Sequence, residues 1–291
     1  CKDEWIMAIY LRDGSLFEYN ENQDQLLEKL YSHKLGRSFV QCLIHPFVSY
    51  MGGIYMNSAL SAKRIKSFIQ SNDIDMSQYL KEDYASFNEF FIRKIKDGER
   101  EINQASNVLI APCDSKLSCF KIDQNVRLKI KNTVYSLEDL LMSPTLASRY
   151  QNGYALIFRL TVDDYHRYHF FDDGTSEKEV HIPGYFHTVN PIANDYYPIY
   201  KTNSRTYTLL HTKHFDDVIM MEVGALMVGK ITNHHKKEFS RGEEKGYFEF
   251  GGSTVVLFIK DIVDIDQDII NNSAEYNETK VLLGERIGIL K

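Results

Sequence analysis

The chain carries no long block of lysine or arginine, and its formal net charge is −6 over 291 residues. A phosphate backbone would be repelled, so nucleic acid is not an expected partner. Cysteine is scarce: Cys1, Cys42, Cys113 and Cys119 lack the paired spacing of a zinc site and the density of a disulfide scaffold, which favours reducing surroundings. The opening CKDEWIMAIYLRDG is charged before any apolar run develops, unlike a secretory leader. Long apolar runs are missing as well. Residues 38–62 hold no Asp, Glu, Lys or Arg, yet Pro46, Gly52 and Gly53 interrupt them, which makes a poor spanning helix. Two readings of that stretch stay open. It can lie in a membrane interface with Lys63, Arg64 and Lys66 against anionic headgroups, or form a helical pair packed on the rest of the protein.

What is abundant is aromatic: 19 Tyr and 17 Phe, a richness that suits extensive sheet. Residues 22–96 read as helical. In SFNEFFIRKIKDG, Phe87, Phe90, Phe91 and Ile95 recur at helical spacing behind a Ser86/Glu89 capping box, as in an amphipathic helix docked on a core. From residue 107 onward short runs such as VLIA, VRLKI, YALIFRL, IMMEVGALMVGKI and TVVLFIKDI alternate with Gly, Pro, Asn and Asp, the pattern of a sheet-dominated domain. The division expected is an N-terminal helical region, residues 1–100, and a β-rich catalytic domain, residues 101–291.

Three segments carry chemistry. In GEEKGYFEFGGSTVVLFI, Gly251 and Gly252 lead directly to Ser253; two glycines allow a tight backbone and a close approach to the peptide carbonyl, setting Ser253 to attack its neighbour. In LTVDDYHRYHFFDDG, His166 and His169 stand three apart beside Asp163 and Asp164, and titrate near neutral pH. With no Glu between them and no further ligand set, no metal is expected. In VLIAPCDSKLSCF, Asp114 sits on a turn after an apolar strand, where an isolated aspartate would be only a turn residue. Together they offer a serine nucleophile, a histidine base and an aspartate to orient it, without the GxSxG elbow of the serine hydrolases.

In order and spacing, YMNSALSAKRIKSFI, YASFNEFFIRKIKDGER, APCDSK, DYHRYH, HTVNPIA, EVGALMVGKI and GEEKGYFEFGGST make the chain resemble the phosphatidylserine decarboxylases over nearly its whole length. The resemblance implies an α+β fold with a β-rich antiparallel sandwich or barrel-like core. It implies a self-cleavage triad of Asp114, His169 and Ser253, with His166 serving decarboxylation. Cleavage between Gly252 and Ser253 would yield chains 1–252 and 253–291, and Ser253 would become a covalent pyruvoyl group. Phosphatidylserine would be the substrate and a membrane surface the partner, with peripheral attachment at the cytoplasmic face; a homodimer stays open. Two relatives remain as alternatives: a decarboxylase of a soluble amino acid and a non-catalytic lipid-binding protein. One departure stands out: Ser115 follows Asp114 where the family usually has Gly, which would slow cleavage if that position needs positive φ.

Overall fold

The computed structural model describes residues 8–18, 31–33, 36, 40, 44–130, 133–189, 197–225, 230–251 and 253–291. Among them, the apolar runs Tyr154–Leu160 and Ser253–Ile259 are strands buried along almost their whole length, as strands are when both faces of a sheet are covered. They lie at the middle of a ten-stranded sheet, with Ser253–Ile259 hydrogen-bonded between Tyr154–Leu160 and Asp217–Gly224. Ser115–Lys121, Glu278–Val281 and Ile9–Tyr10 continue the sheet on one side. Arg205–Thr212, Gly174–Ser176 and Glu238–Phe239 continue it on the other, with Val180–Ile182 also on Arg205–Thr212. Pairing is antiparallel throughout this sheet except at Ile9–Tyr10.

This is an α+β protein with a β-rich core, but the barrel-like form is not what forms. The sheet is open, and its edges are two-residue strands that do not pair with each other, too short to zip the sheet closed. Strand alternation builds a core on each face. Val255, Leu257 and Ile259 enter one, together with Val108–Ile110, Tyr168, Phe248 and Ile269. Val256 and Phe258 enter the other, together with Leu128, Tyr135, Leu140, Tyr150 and Tyr200. By the same alternation Ser253 points into the first layer and Thr254 into the second.

Before residue 100, apart from the strand Ile9–Tyr10, the described elements are short helices: Pro46–Met56, Ala59–Arg64, Ile65–Ser71, Met76–Gln78 and Phe87–Phe91. Phe87, Phe90 and Phe91 are buried with Met56 and Ile65. The Ser86 hydroxyl accepts from Glu89 N–H at 3.1 Å, while the Glu89 carboxylate reaches back to Ala85 N–H rather than Ser86 N–H. Ile95 is not on that helix. The chain turns after Phe91 because Arg93 folds inward to the carbonyls of Phe90, Asp163 and Asp164, and Ile95 instead bridges to Tyr79.

Among the described residues no helix is long and apolar enough to cross a membrane. On Pro46–Met56, however, Phe47, Tyr50, Met51 and Ile54, at i, i+3, i+4 and i+7, form one helix face, and each is about half exposed or more. Lys63, Arg64 and Lys66 are exposed beside it.

Candidate active site

Ser253 opens the central strand. Its backbone is held in register opposite Leu160 on one side and Gly224 on the other, and its side chain is fully buried. Gly252 lies outside the described residues, so the bond expected to break is known from its flanks. Gly251 has φ +138°, backbone that an L side chain rarely adopts, which is why the approach to Ser253 requires glycine there. Two residues upstream of Gly252, Phe250 is pinned by its N–H to the Asn88 side chain at 3.0 Å, and by edge-on contacts with Phe87 and Phe91, ring centroids 5.1 and 5.2 Å away. The short phenylalanine helix is therefore a clamp on the cleavage turn as well as a piece of core.

His166 and His169 flank and end the strand Arg167–His169, which pairs with Glu244–Phe248, the strand leading to that same turn. Phe248 N–H donates to His166 O at 3.0 Å, and His169 N–H donates to Pro112 O at 2.8 Å. The second bond fastens His169 to the turn that carries Asp114, so topology gathers all three segments at one end of the central strands.

His166 Nδ1 lies 3.0 Å from Asp164 O. A carbonyl can only accept, so Nδ1 carries the hydrogen and Nε2 carries the lone pair. That Nε2 is buried without a hydrogen-bond partner among the described residues, as are His169 Nδ1 and Ser253 Oγ. Each unsatisfied buried polar atom costs about 1–3 kcal/mol, so stability alone gives no reason for these side chains to stand there. Burial pushes the His166 imidazole down to about 4, with the Asp164 carboxylate opposing. Burial also pushes His169 to about 4, against the pull of Glu244. Both rings are therefore neutral at pH 7, the state a general base needs.

Asp114 is buried, yet no hydrogen bond joins it to His169. Its two oxygens face the Arg100 guanidinium, Nε at 3.0 and 3.1 Å and Nη2 at 2.6 Å, and Leu283 N–H donates to Oδ1 at 2.8 Å. Ser115 starts the strand Ser115–Lys121, and neither it nor Asp114 has positive φ. The missing family glycine thus imposes no strain here, and the reason to expect slow cleavage is absent. Asp164, beside His166, caps the Thr161 N–H at 2.7 Å and meets Lys116 Nζ at 2.7 Å. Burial alone would raise its carboxyl, but Lys116 and Lys280 overcome that and hold it well below the usual range.

Sequence reading missed Arg100, Lys116, Phe91 and Phe250 as parts of this site. Lysine and arginine read by default as solvated. The signal available was only their place within KIKDGER and CDSK.

The family model described as phosphatidylserine decarboxylase matches residues 87–289. A phosphatidylserine decarboxylase proenzyme 2 of Clostridium acetobutylicum is 44% identical over 285 residues, covering 97% of this chain and 98% of that protein. A phosphatidylserine decarboxylase proenzyme of Clostridium tetani is 44% identical over 292 residues, with 97% and 98% covered. One from Clostridium novyi is 41% identical over 273 residues, with 91% and 92% covered.

Proposed function

Because the chain belongs to the phosphatidylserine decarboxylase family, we propose that it converts phosphatidylserine to phosphatidylethanolamine and CO2 through a pyruvoyl group made from its own Ser253. The observation that carries this reading is the buried Ser253 hydroxyl, without a partner among the described residues, two positions after the positive-φ Gly251 and following the strand that pairs with Arg167–His169.

His169 takes the Ser253 hydroxyl proton, and Oγ attacks the Gly252 carbonyl carbon. The C–N bond to Ser253 breaks, the nitrogen takes up the proton held by His169 to leave as a free amine, and the amide becomes an ester. Loss of the Ser253 Cα proton then expels the Gly252 carboxylate from Cβ. The dehydroalanine left behind takes up water and releases ammonia, leaving a ketone at the head of residues 253–291.

A buried site the size of serine, held between Leu160 and Gly224, fits that group without rearrangement of the ladder. When formed, its carbonyl supplies the electron acceptor for the pair left as CO2 departs. The chain's own residues then manage protons. His166, neutral at rest, takes a proton on Nε2 from the incoming ammonium and returns it to the substrate carbon. Arg159 and Glu278, paired in the buried interior, and the ladder around Ser253 keep the strands rigid while this happens.

Intact mass of the purified protein tests the cofactor directly. We expect chains 1–252 and 253–291, the smaller with an N-terminal carbonyl that reacts with hydrazines, and a Ser253→Ala chain that stays whole. A wild-type chain that remains uncut and unreactive would end this reading.

The lipid substrate favours a peripheral position on the cytoplasmic face of a membrane. There the Phe47, Tyr50, Met51 and Ile54 face would enter the interface while Lys63, Arg64 and Lys66 meet anionic headgroups. The same face argues against a soluble amino acid as substrate, which would give it no use. With vesicles containing anionic phospholipid, the wild type should co-sediment. Replacing Phe47, Tyr50 and Ile54 by serine should leave the protein in the supernatant with self-cleavage intact; equal pelleting of both would remove the membrane assignment.

A further inference from the structure

The carboxylate expected to orient His169 is engaged elsewhere. Asp114 is gripped at both oxygens by Arg100, with side chains only 12% and 6% exposed. Arg100 is held in turn: Nη1 donates to the Gln78 side-chain oxygen at 3.0 Å and to Glu99 O at 2.8 Å. Gln78 sits on the turn Met76–Gln78, whose neighbour Tyr79 contacts Tyr165, and the Tyr165 ring lies over that of His169. The guanidinium thus closes a ring of contacts around the base.

We infer that Arg100 is a positioning residue for self-cleavage, fixing the Asp114 carboxylate and compensating its charge so that the group beside His169 is an ion pair and not a lone anion. This rests on the reading of Asp114 and His169 given above. The chemistry favours it for two reasons. A two-point guanidinium grip fixes the plane of a carboxylate, which a single hydrogen bond from Leu283 N–H does not. A lone buried anion beside an imidazole also raises its proton affinity, and a base that is already protonated cannot take the serine proton.

The charges facing the pair are few. Lys280, Tyr165 and Cys113 act on or feel Asp114, while Glu244, Arg167 and His234 surround His169. Glu244 is itself tied to Arg167 at 2.7 Å and to His234 at 2.6 Å. Removing Arg100 therefore changes one member of a set in which Glu244 keeps its own partners and Lys280 stays beside Asp164.

The test uses the full chain made by cell-free synthesis, moved once synthesis is stopped into buffers spanning the acid and neutral range, with remaining precursor followed by intact mass. Arg100→Gln should cleave about a hundredfold more slowly, the scale of a misplaced reacting group. The acid limb of its rate profile should also move up by about one pH unit, the scale of an uncompensated neighbouring charge. Arg100→Lys, which keeps the charge but loses the fork, should cleave about tenfold more slowly, as a proton-transfer group held less well would, with the limb where the wild type has it.

A slow Arg100→Gln chain with an unmoved limb would reduce Arg100 to a structural role and overturn the inference. So would wild-type cleavage by either variant, and if Arg100→Gln yields no folded chain, Arg100→Lys alone decides. Asp114→Asn separates the two levels. If it cleaves like the wild type, the triad reading itself fails; if it is inert while Arg100→Gln is normal, only the present inference falls.

Discussion

Replacing His166 by alanine should leave self-cleavage largely intact while lowering decarboxylation about a hundredfold to ten-thousandfold, the usual worth of a positioned acid or base. The proposed division of labour, which the family resemblance implies, is compatible with the geometry. His169 is tied by its backbone to the Asp114 turn, whereas His166 is tied through Nδ1 to Asp164 O and directs its free Nε2 elsewhere. His166 also packs on Phe91, ring centroids 4.0 Å apart, and Phe91 packs on Phe250 just before the cleavage turn. Truncation to alanine therefore leaves a cavity near that turn. A His166→Gln chain, closer in volume, guards against reading a packing defect as lost chemistry. Precursor and product chains are measured by mass, and phosphatidylethanolamine formation is measured on fully processed protein. A variant that fails to cut itself, yet turns over normally when some processed form is isolated, would reverse the assigned roles.

The second large effect is expected at Asp114. Asparagine there leaves the Arg100 guanidinium buried without its counter-charge, a loss of about 3–5 kcal/mol when one partner of a buried pair is removed. Cleavage should be lost with it. Measured by denaturant unfolding in a Ser253→Ala background, so that every sample is uncut, Asp114→Asn should unfold at markedly lower denaturant. Changing Arg100 and Asp114 together to leucine should recover much of that stability, because no unpaired charge remains, yet restore no cleavage in chains that retain Ser253. Stability of Asp114→Asn within 1 kcal/mol of its parent, about the measurement error, would show that the ion pair carries little energy.

How legible all this was depended on distance along the chain. STVVLFI reads as a buried strand because every residue after Ser253 is apolar or β-branched, and it is the central strand. The Gly-Gly approach to Ser253 was equally plain. IMMEVGALMVGKI was less so. Asp217–Gly224 and Ile231–Asn233 belong to different sheets, and residues 226–229 between them lie outside the described residues; nothing in that largely apolar pattern signals a change of sheet. The phenylalanine helix was recognisable, but its end was not, because Arg93 stops it by reaching carbonyls some 70 residues away. Arg100 escaped for the same reason. Its partner is 14 positions on and is brought back by a turn, and no periodicity encodes a contact of that kind.

The place of Ser253 in the sheet has a consequence for the mature protein. The strand it begins is laced to a neighbour on each side along its full length, and residues after it supply Val263–Ile265, Gln267–Ala274, Glu278–Val281 and Arg286–Leu290 to the same body. Cutting the backbone at its head therefore nicks the molecule without releasing a piece. Unfolding is another matter: two chains diffuse apart where one would have stayed tethered, and their reunion becomes bimolecular and dependent on dilution. The proposed cleavage would thus trade renewable folding for a kinetic lifetime set by how slowly the sheet opens.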